Sequence, residues 1–288
     1  MILVTGAGGK TGQAVIAALA ARGATVRALI RRIEQAETLK ALGATEVSIG
    51  SFGDAQALDL AATGAAAVYH ICPNVSSDEL HFAQAVASAA QAHGIRRFVY
   101  HSVLHPQIEA MPHHWQKMRA EEFLFACGFD LTILQPTAYM QNILGTWPGI
   151  VADGIFRMPY PVGTRLSLVD LADVAAVAAL VLTSAGHANA TYELVGTPSL
   201  SQAEVADAIG AVVGRTVRAE AETVEAWQRR AGAAGMGANE CDTLAAMFRY
   251  YAAHGLMGNS NTLRWLLGRP PRDLGHWLAT QRARFEAG

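Results

Sequence analysis

The chain has 288 residues, 51% of them apolar and 16% charged, with a formal net charge of −2. That length holds one large domain or a core with a smaller appendage, and that composition suits a packed interior and excludes a disordered chain. The near-neutral balance gives no electrostatic footing for nucleic acid or an anionic membrane, so a small molecule is the expected partner.

From the first residue, short apolar runs alternate with helix-forming segments, the mark of a parallel sheet with crossover helices. Strands are predicted at 2–5, 25–30, 46–49, 67–71, 97–101 and 131–135, and helices at 11–22, 34–42, 55–61, 77–93 and 114–127. Gly23, Gly43, Gly64, Gly94 and Gly128 each follow one of those helices, where a left-handed C-terminal cap favours glycine. Residues 143–165 carry Gly145, Pro148, Gly149, Gly154, Pro159, Pro161 and Gly163 and read as an irregular connection. A helix at 171–183 and a strand at 191–195 are expected to return to the main sheet. The rest reads as mostly helical, at 201–213, 224–233, 239–254 and 273–286. The expected fold is α/β: a Rossmann-type doubly wound parallel sheet with a small, mainly helical C-terminal lobe. A dinucleotide-binding core is assigned to 1–146. A substrate-binding lobe is assigned to 147–288, interleaved with returning sheet elements at about 167–196.

Cys72, Cys127 and Cys241 are widely spaced, without a Cys-x-x-Cys pair, and read as reduced residues of a cytosolic protein. The opening apolar run meets glycines at once with no basic leader, and the apolar stretch 171–182 is interrupted by Asp173 and too short for a bilayer. A cytoplasmic location without a membrane partner is the expectation.

Residues 5–12 read Thr-Gly-Ala-Gly-Gly-Lys-Thr-Gly between the first strand and the first helix. Gly6, Gly9 and Gly12 have the spacing that permits a tight turn, close approach of a pyrophosphate and helix–strand packing. Ala7, Lys10 and Thr11 complete the loop, whose phosphates would meet a helix N-terminus. A triphosphate-binding P-loop is excluded because its first glycine would fall on Val4. The second strand ends in Arg31 and Arg32 with no carboxylate before Glu34, which suits a 2′-phosphate and so NADPH rather than NADH. Lys10 adds a further positive charge there. For Arg32 alone, a solvated strand end is the competing reading.

With these features in place, the chain resembles the NmrA-like, atypical branch of the short-chain dehydrogenase/reductase superfamily. The resemblance is carried by ILVTGAGGKTGQAVIAALAARGATVRALIRR at the start and MPHHWQKMRAEEFLFACGFDLTILQPTAYMQNIL in the middle. VDLADVAAVAALVLTSAGHANATYELVG and LRWLLGRPPRDLGHWLA extend it over essentially the whole chain. It implies either an NADPH-dependent reductase of quinone- or dye-like acceptors or a non-catalytic NADP(H)-binding redox sensor. Ordinary superfamily members use Tyr-x-x-x-Lys. Here Lys117 matches the ribose-binding lysine, while His113 stands at the tyrosine's place. His113 is then either a proton donor or a helix-start residue packed behind Pro112. The resemblance puts Ser102 near the catalytic serine and Cys72, Pro73 and Asn74 under the adenosine ribose and nicotinamide. It puts Pro136 and Tyr139 in the segment that lines the nicotinamide pocket. Where the family has Gly-Asp after its third strand, this chain has Gly50-Ser51-Phe52, so Ser51 and Phe52 take over the adenine end.

Ten histidines raise the question of a metal, but His101/His105 and His113/His114 lack a third ligand at zinc-like spacing. No G-x-S-x-G elbow supports a hydrolase. A direct hydride transfer to a conjugated acceptor needs no concerted acid, which fits the missing tyrosine, whereas a simple ketone would call on His113. A homodimer is left open, and a protein partner is implied only by the sensor reading.

Overall fold

The structure is a computed structural model and describes residues 1–281. Its residues form two compact units: Met1–Gln107, His114–Gln135 and Val174–Tyr192 make the first, and Ile108–His113, Pro136–Asp173 and the chain from Glu193 onward make the second.

In the first unit, strands β1 (Ile2–Val4), β2 (Val26–Ile30), β3 (Glu46–Ile49), β4 (Ala67–His70), β5 (Arg97–His101) and β6 (Asp130–Pro136) alternate with five helices. These are α1 (Lys10–Ala21), α2 (Ala36–Ala41), α3 (Ala55–Ala62), α4 (Glu79–Ala92) and α5 (Pro112–Phe125). The sheet order is β11-β6-β5-β4-β1-β2-β3, where β11 is Ala190–Leu194, and every pair from β3 to β6 is parallel. Leu3 sits opposite both Arg27 and Val68, so β1 is the central strand at which the order reverses. Strands covered on both faces need continuous apolar runs. Ile2, Leu3 and Val4 are buried, as are all four residues of β4. Leu58, Ala83, Val86, Ala87, Ala120 and Leu124 pack onto Leu3, Val68, Phe98 and Ile133, and Phe98 stacks on Phe129 at 4.8 Å. Each buried leucine there contributes about 1.5–3 kcal/mol. The alanines let the helices approach closely. All five predicted caps, Gly23, Gly43, Gly64, Gly94 and Gly128, have positive φ, between +65° and +103°.

The element ends differ from the sequence reading by one or two residues. The predicted helix 34–42 opens as a 3-10 turn, Ile33–Gln35, before α2, and α4 starts at Glu79. The larger correction concerns 143–165, read as irregular. A 3-10 turn, Met140–Thr146, leads there into a helix, α6 (Trp147–Asp153), and a strand, β8 (Ile155–Met158). Pro148 lies in the first turn of α6, where its missing N–H is not needed, and Gly154 at φ +67° ends the helix.

In the remaining chain, β7 (Ala138–Tyr139) pairs in parallel with β10 (Leu168–Val169), and β9 (Arg165–Leu166) pairs antiparallel with β12 (Leu200–Ser201). Helix α7 spans Leu171–Thr183, as predicted, and β11 joins the main sheet. Ser201 and Glu204 form a capping box that starts α8 (Gln202–Val213). The mostly helical reading of the C-terminal part missed one strand, β13 (Arg218–Ala221), which pairs in parallel with β8. Helices α9 (Val224–Ala233), α10 (Ala238–His254), α11 (Asn261–Leu267) and α12 (Leu274–Thr280) follow. The predicted 273–286 helix ends at Thr280 within the described residues, and its last part lies outside them. Met140, Ile143, Phe156, Ile209, Trp277 and Leu278 form the core of the second unit. Arg269 and Arg272 bind the buried carboxylates of Asp173 and Asp170 at 2.6 and 3.0 Å. Among the described residues no helix is long and apolar enough to cross a membrane.

Candidate active site

The glycine loop leaves the end of β1 at the centre of the sheet. Gly6 has φ +59°, and a Cβ there would lie 2.5 Å from the carbonyl oxygen of Ile71. A Cβ on Gly12 would lie 2.5 Å from the Gly6 carbonyl oxygen and 2.7 Å from Ala7 Cα. These contacts are with backbone, which cannot swing aside, so the turn and the helix approach both require glycine. Gly9 is the extended N-cap residue of α1, which has no side-chain cap and no acidic residue in its first turn. Such a helix end presents free N–H groups and a positive dipole end that suit an anion. Ala7 and Thr11 are buried in the loop, and Lys10 is exposed. A Cβ on Gly8, outside the predicted triplet, would lie 2.2 Å from Gln35 Nε2, the far end of a half-buried flexible side chain that can swing aside. Gln13, Arg32, Glu34, Gln35 and Thr38 line a cleft of about 530 Å³ beside this loop. Arg31 and Arg32 are both exposed. Ser51 is exposed after β3, while Phe52 is half-buried, stacked on Phe82 at 4.9 Å and edge-on to His70 at 5.5 Å. One face of the Phe52 ring is therefore already engaged within the protein.

Cys72 is buried and Pro73 and Asn74 are exposed in the loop after β4, which continues into Val75 at φ +57°, an uncommon conformation for a β-branched residue. Beneath this loop lies a buried polar network drawn from four strand ends and two helices. Thr5 Oγ1 and His70 Nδ1 are 2.8 Å apart. On α4, the fully buried Glu79 accepts from the Tyr100 hydroxyl at 2.6 Å and from Lys117 Nζ at 2.9 Å. Lys117 Nζ also donates to the His101 carbonyl oxygen at 3.0 Å and stands 5.3 Å from the centre of the Tyr100 ring. One turn further along α5, Glu121 accepts from Gln135 Nε2 at 3.0 and 3.1 Å and takes a short hydrogen bond from Ser102. Burial sets the protonation here. It pushes the Glu121 carboxyl up, with the Ser102 and Gln135 bonds opposing, and raises the Tyr100 hydroxyl and the Cys72 thiol above their ordinary ranges. It also lowers His70 to about 4, with Glu79 opposing.

Of the residues singled out from sequence, the structure thus links Lys117 to the end of β5 and ties the Ser102 hydroxyl proton to Glu121. His113 is buried at the start of α5, one turn before Lys117, and belongs to the second unit together with Pro136 and Tyr139. Pro136 is the buried last residue of β6, and half-buried Tyr139 ends β7 opposite Val169. Sequence reasoning missed Glu79, Tyr100, Glu121 and Gln35. Only Glu121 carried a signal, its spacing of four from Lys117 on one helix face. Among the described residues, no three His, Cys, Asp or Glu side chains gather as a metal would require.

The model of the NmrA-like family matches residues 1–275. The (4-alkanoyl-5-oxo-2,5-dihydrofuran-3-yl)methyl phosphate reductase of Streptomyces griseus is 33% identical, over 99% of both chains. The NAD(P)H azoreductase of Xenophilus azovorans is 30% identical over the full length of both. Among solved structures, the NADPH-dependent quinone oxidoreductase of Escherichia coli complexed with NADPH superposes with a TM-score of 0.86 at 26% identity. That match covers 97% of this chain and 99% of the other.

Proposed function

The chain belongs to the NmrA-like family, and from that premise we propose that it is an NADPH-dependent oxidoreductase passing hydride to a small, planar, electrophilic acceptor of the quinone or dye class. The observation that carries this reading is the glycine loop: the backbone of Ile71, Gly6 and Ala7 leaves no room for a Cβ at Gly6 or Gly12, and the tight turn so fixed presents the uncapped N-terminus of α1, which suits a pyrophosphate. The names of the relatives, an azoreductase, a furanone phosphate reductase and a quinone oxidoreductase, support reduction of conjugated acceptors.

In this reading Gly6, Ala7, Gly9, Lys10, Thr11 and Gly12 hold the pyrophosphate, and Arg31 and Arg32 hold the 2′-phosphate. Ser51 and Phe52 border the adenine, Cys72, Pro73 and Asn74 underlie the dinucleotide, and Lys117 holds the nicotinamide ribose. NADPH held there would supply the hydride. Lys117 brings positive charge into a region from which water is excluded, where it acts more strongly than in solvent. Ser102, its O–H directed to Glu121, offers its lone pairs and orients as an acceptor. An acceptor that spreads its new charge over a conjugated system takes its proton later from water, so the chemistry places no demand on position 113.

The test is loss of NADPH fluorescence on adding quinones, azo and triphenylmethane dyes and activated carbonyls to the purified protein, with NADH in parallel. Turnover of a quinone or dye with preference for NADPH is expected. Tight NADPH binding with no oxidation by any acceptor would overturn the enzymatic reading in favour of a cofactor sensor.

A further inference from the structure

Glu79 stands at the start of α4, where an acid ordinarily points into solvent and favours the helix dipole. Here its carboxylate is turned inward, fully buried, against Lys117 Nζ at 2.9 Å and the Tyr100 hydroxyl at 2.6 Å. A buried ion pair is a poor way to stabilise a fold, because desolvating both charges offsets their attraction. It is an effective way to keep an ammonium charged and fixed where burial alone would strip its proton. An ammonium has three N–H donors, and Lys117 places two of them, on Glu79 and on the His101 carbonyl oxygen. The third is left for a ligand.

We propose that Glu79 is a positioning residue for Lys117: its buried carboxylate fixes the direction and the charge of the ammonium that holds the nicotinamide ribose. The inference rests on the ribose role given to Lys117 above. The titratable groups packed around the pair are His70 and Cys72 at the end of β4, Tyr100 and His101 on β5, and His114 and Glu121 on α5. Burial holds His70 and His114 neutral at physiological pH, each lowered to about 4, and keeps the Tyr100 hydroxyl and Cys72 thiol protonated. The carboxylate bonded to Nζ is that of Glu79.

The experiment is NADPH titration by fluorescence from pH 6.5 to 9.5 on the wild type, Glu79→Gln, Glu79→Gln/Lys117→Arg and Lys117→Met. Glutamine keeps the size and the acceptor oxygen but removes the charge. Between pH 7 and 9, Glu79→Gln is expected to lose about tenfold more affinity than the wild type, because a neutral amide does not compensate the ammonium as the carboxylate does. The double variant is expected to follow the wild-type profile, because a guanidinium stays charged. A Glu79→Gln profile parallel to the wild type overturns the proposal, as does a pH-dependent loss that persists in the double variant. Weakened binding in Lys117→Met with a parallel Glu79→Gln profile removes only the role of Glu79. Unchanged binding in Lys117→Met removes the ribose assignment itself. Should Glu79→Gln fail to fold, Glu79→Asp serves instead, since it keeps the charge but draws it back. It is expected to show the same loss at smaller amplitude, and a wild-type profile overturns the proposal.

Discussion

The glycine loop at 6–12 and the network around Lys117 both stand at the carboxyl ends of parallel strands in the first unit, yet they are built in opposite ways. The loop is one continuous stretch that acts through backbone amides and missing Cβ atoms, and Gly9 and Lys10 are open to solvent. The network acts through side chains of residues as far apart as Thr5 and Gln135, nearly all of them buried. A phosphate carries its own charge and needs only space and oriented dipoles, so a local sequence can provide for it. A cation held in a dry interior needs partners to keep its charge, and these come from wherever the fold places them.

The sharpest way to break this contrast is Gly12→Val. With backbone 2.5 Å from the added Cβ, NADPH affinity is expected to fall at least about 100-fold in a fluorescence titration. Affinity within threefold of the wild type would show that the loop does not depend on its missing side chains. The buried region is probed by acid. His70 and His114 are each held near 4 by burial, against 6.5 in the unfolded chain. Their stability contribution is therefore complete above pH 6.5 and is lost as the pH falls toward 4. Each costs about 2 kcal/mol by pH 5. Glu121, raised by burial, binds its proton more readily folded and offsets part of that loss. Urea unfolding at pH 7.5 and 5 measures the net effect, and His114→Phe is expected to shed about half of the histidine contribution.

Charge reading at the nucleotide end gives a smaller effect. Replacing Arg31 and Arg32 by alanine is expected to weaken NADPH about tenfold for each charge-assisted bond lost while leaving NADH unchanged. Equal weakening of both cofactors would assign the arginines a role other than 2′-phosphate recognition. The smallest effect belongs to His113→Phe, expected to change quinone turnover by less than about threefold, whereas removal of a general acid costs about 100-fold or more. A loss on that larger scale would make position 113 the proton donor after all.

The alternation of strands and helices, the five glycine caps and the strand–loop–helix context of Gly6 and Gly12 were all legible in the sequence. Each depends on residues within a few positions of one another. The β8–β13 pair was not, because two four-residue strands about sixty positions apart have no local pattern that binds them. Glu79 followed an exposed Asp78 and read as an ordinary first-turn acid.

The sequence by itself therefore determined the doubly wound architecture and the strand–loop–helix setting of the glycine loop, because hydrophobic period and glycine caps act over short spans of chain. Only the tertiary structure decided that Lys117 meets Glu79 and that the Ser102 hydroxyl donates its hydrogen bond to Glu121. Those bonds join a strand end and helices tens of residues apart, and the burial that raises the Glu121 carboxyl exists only once the sheet has closed over it.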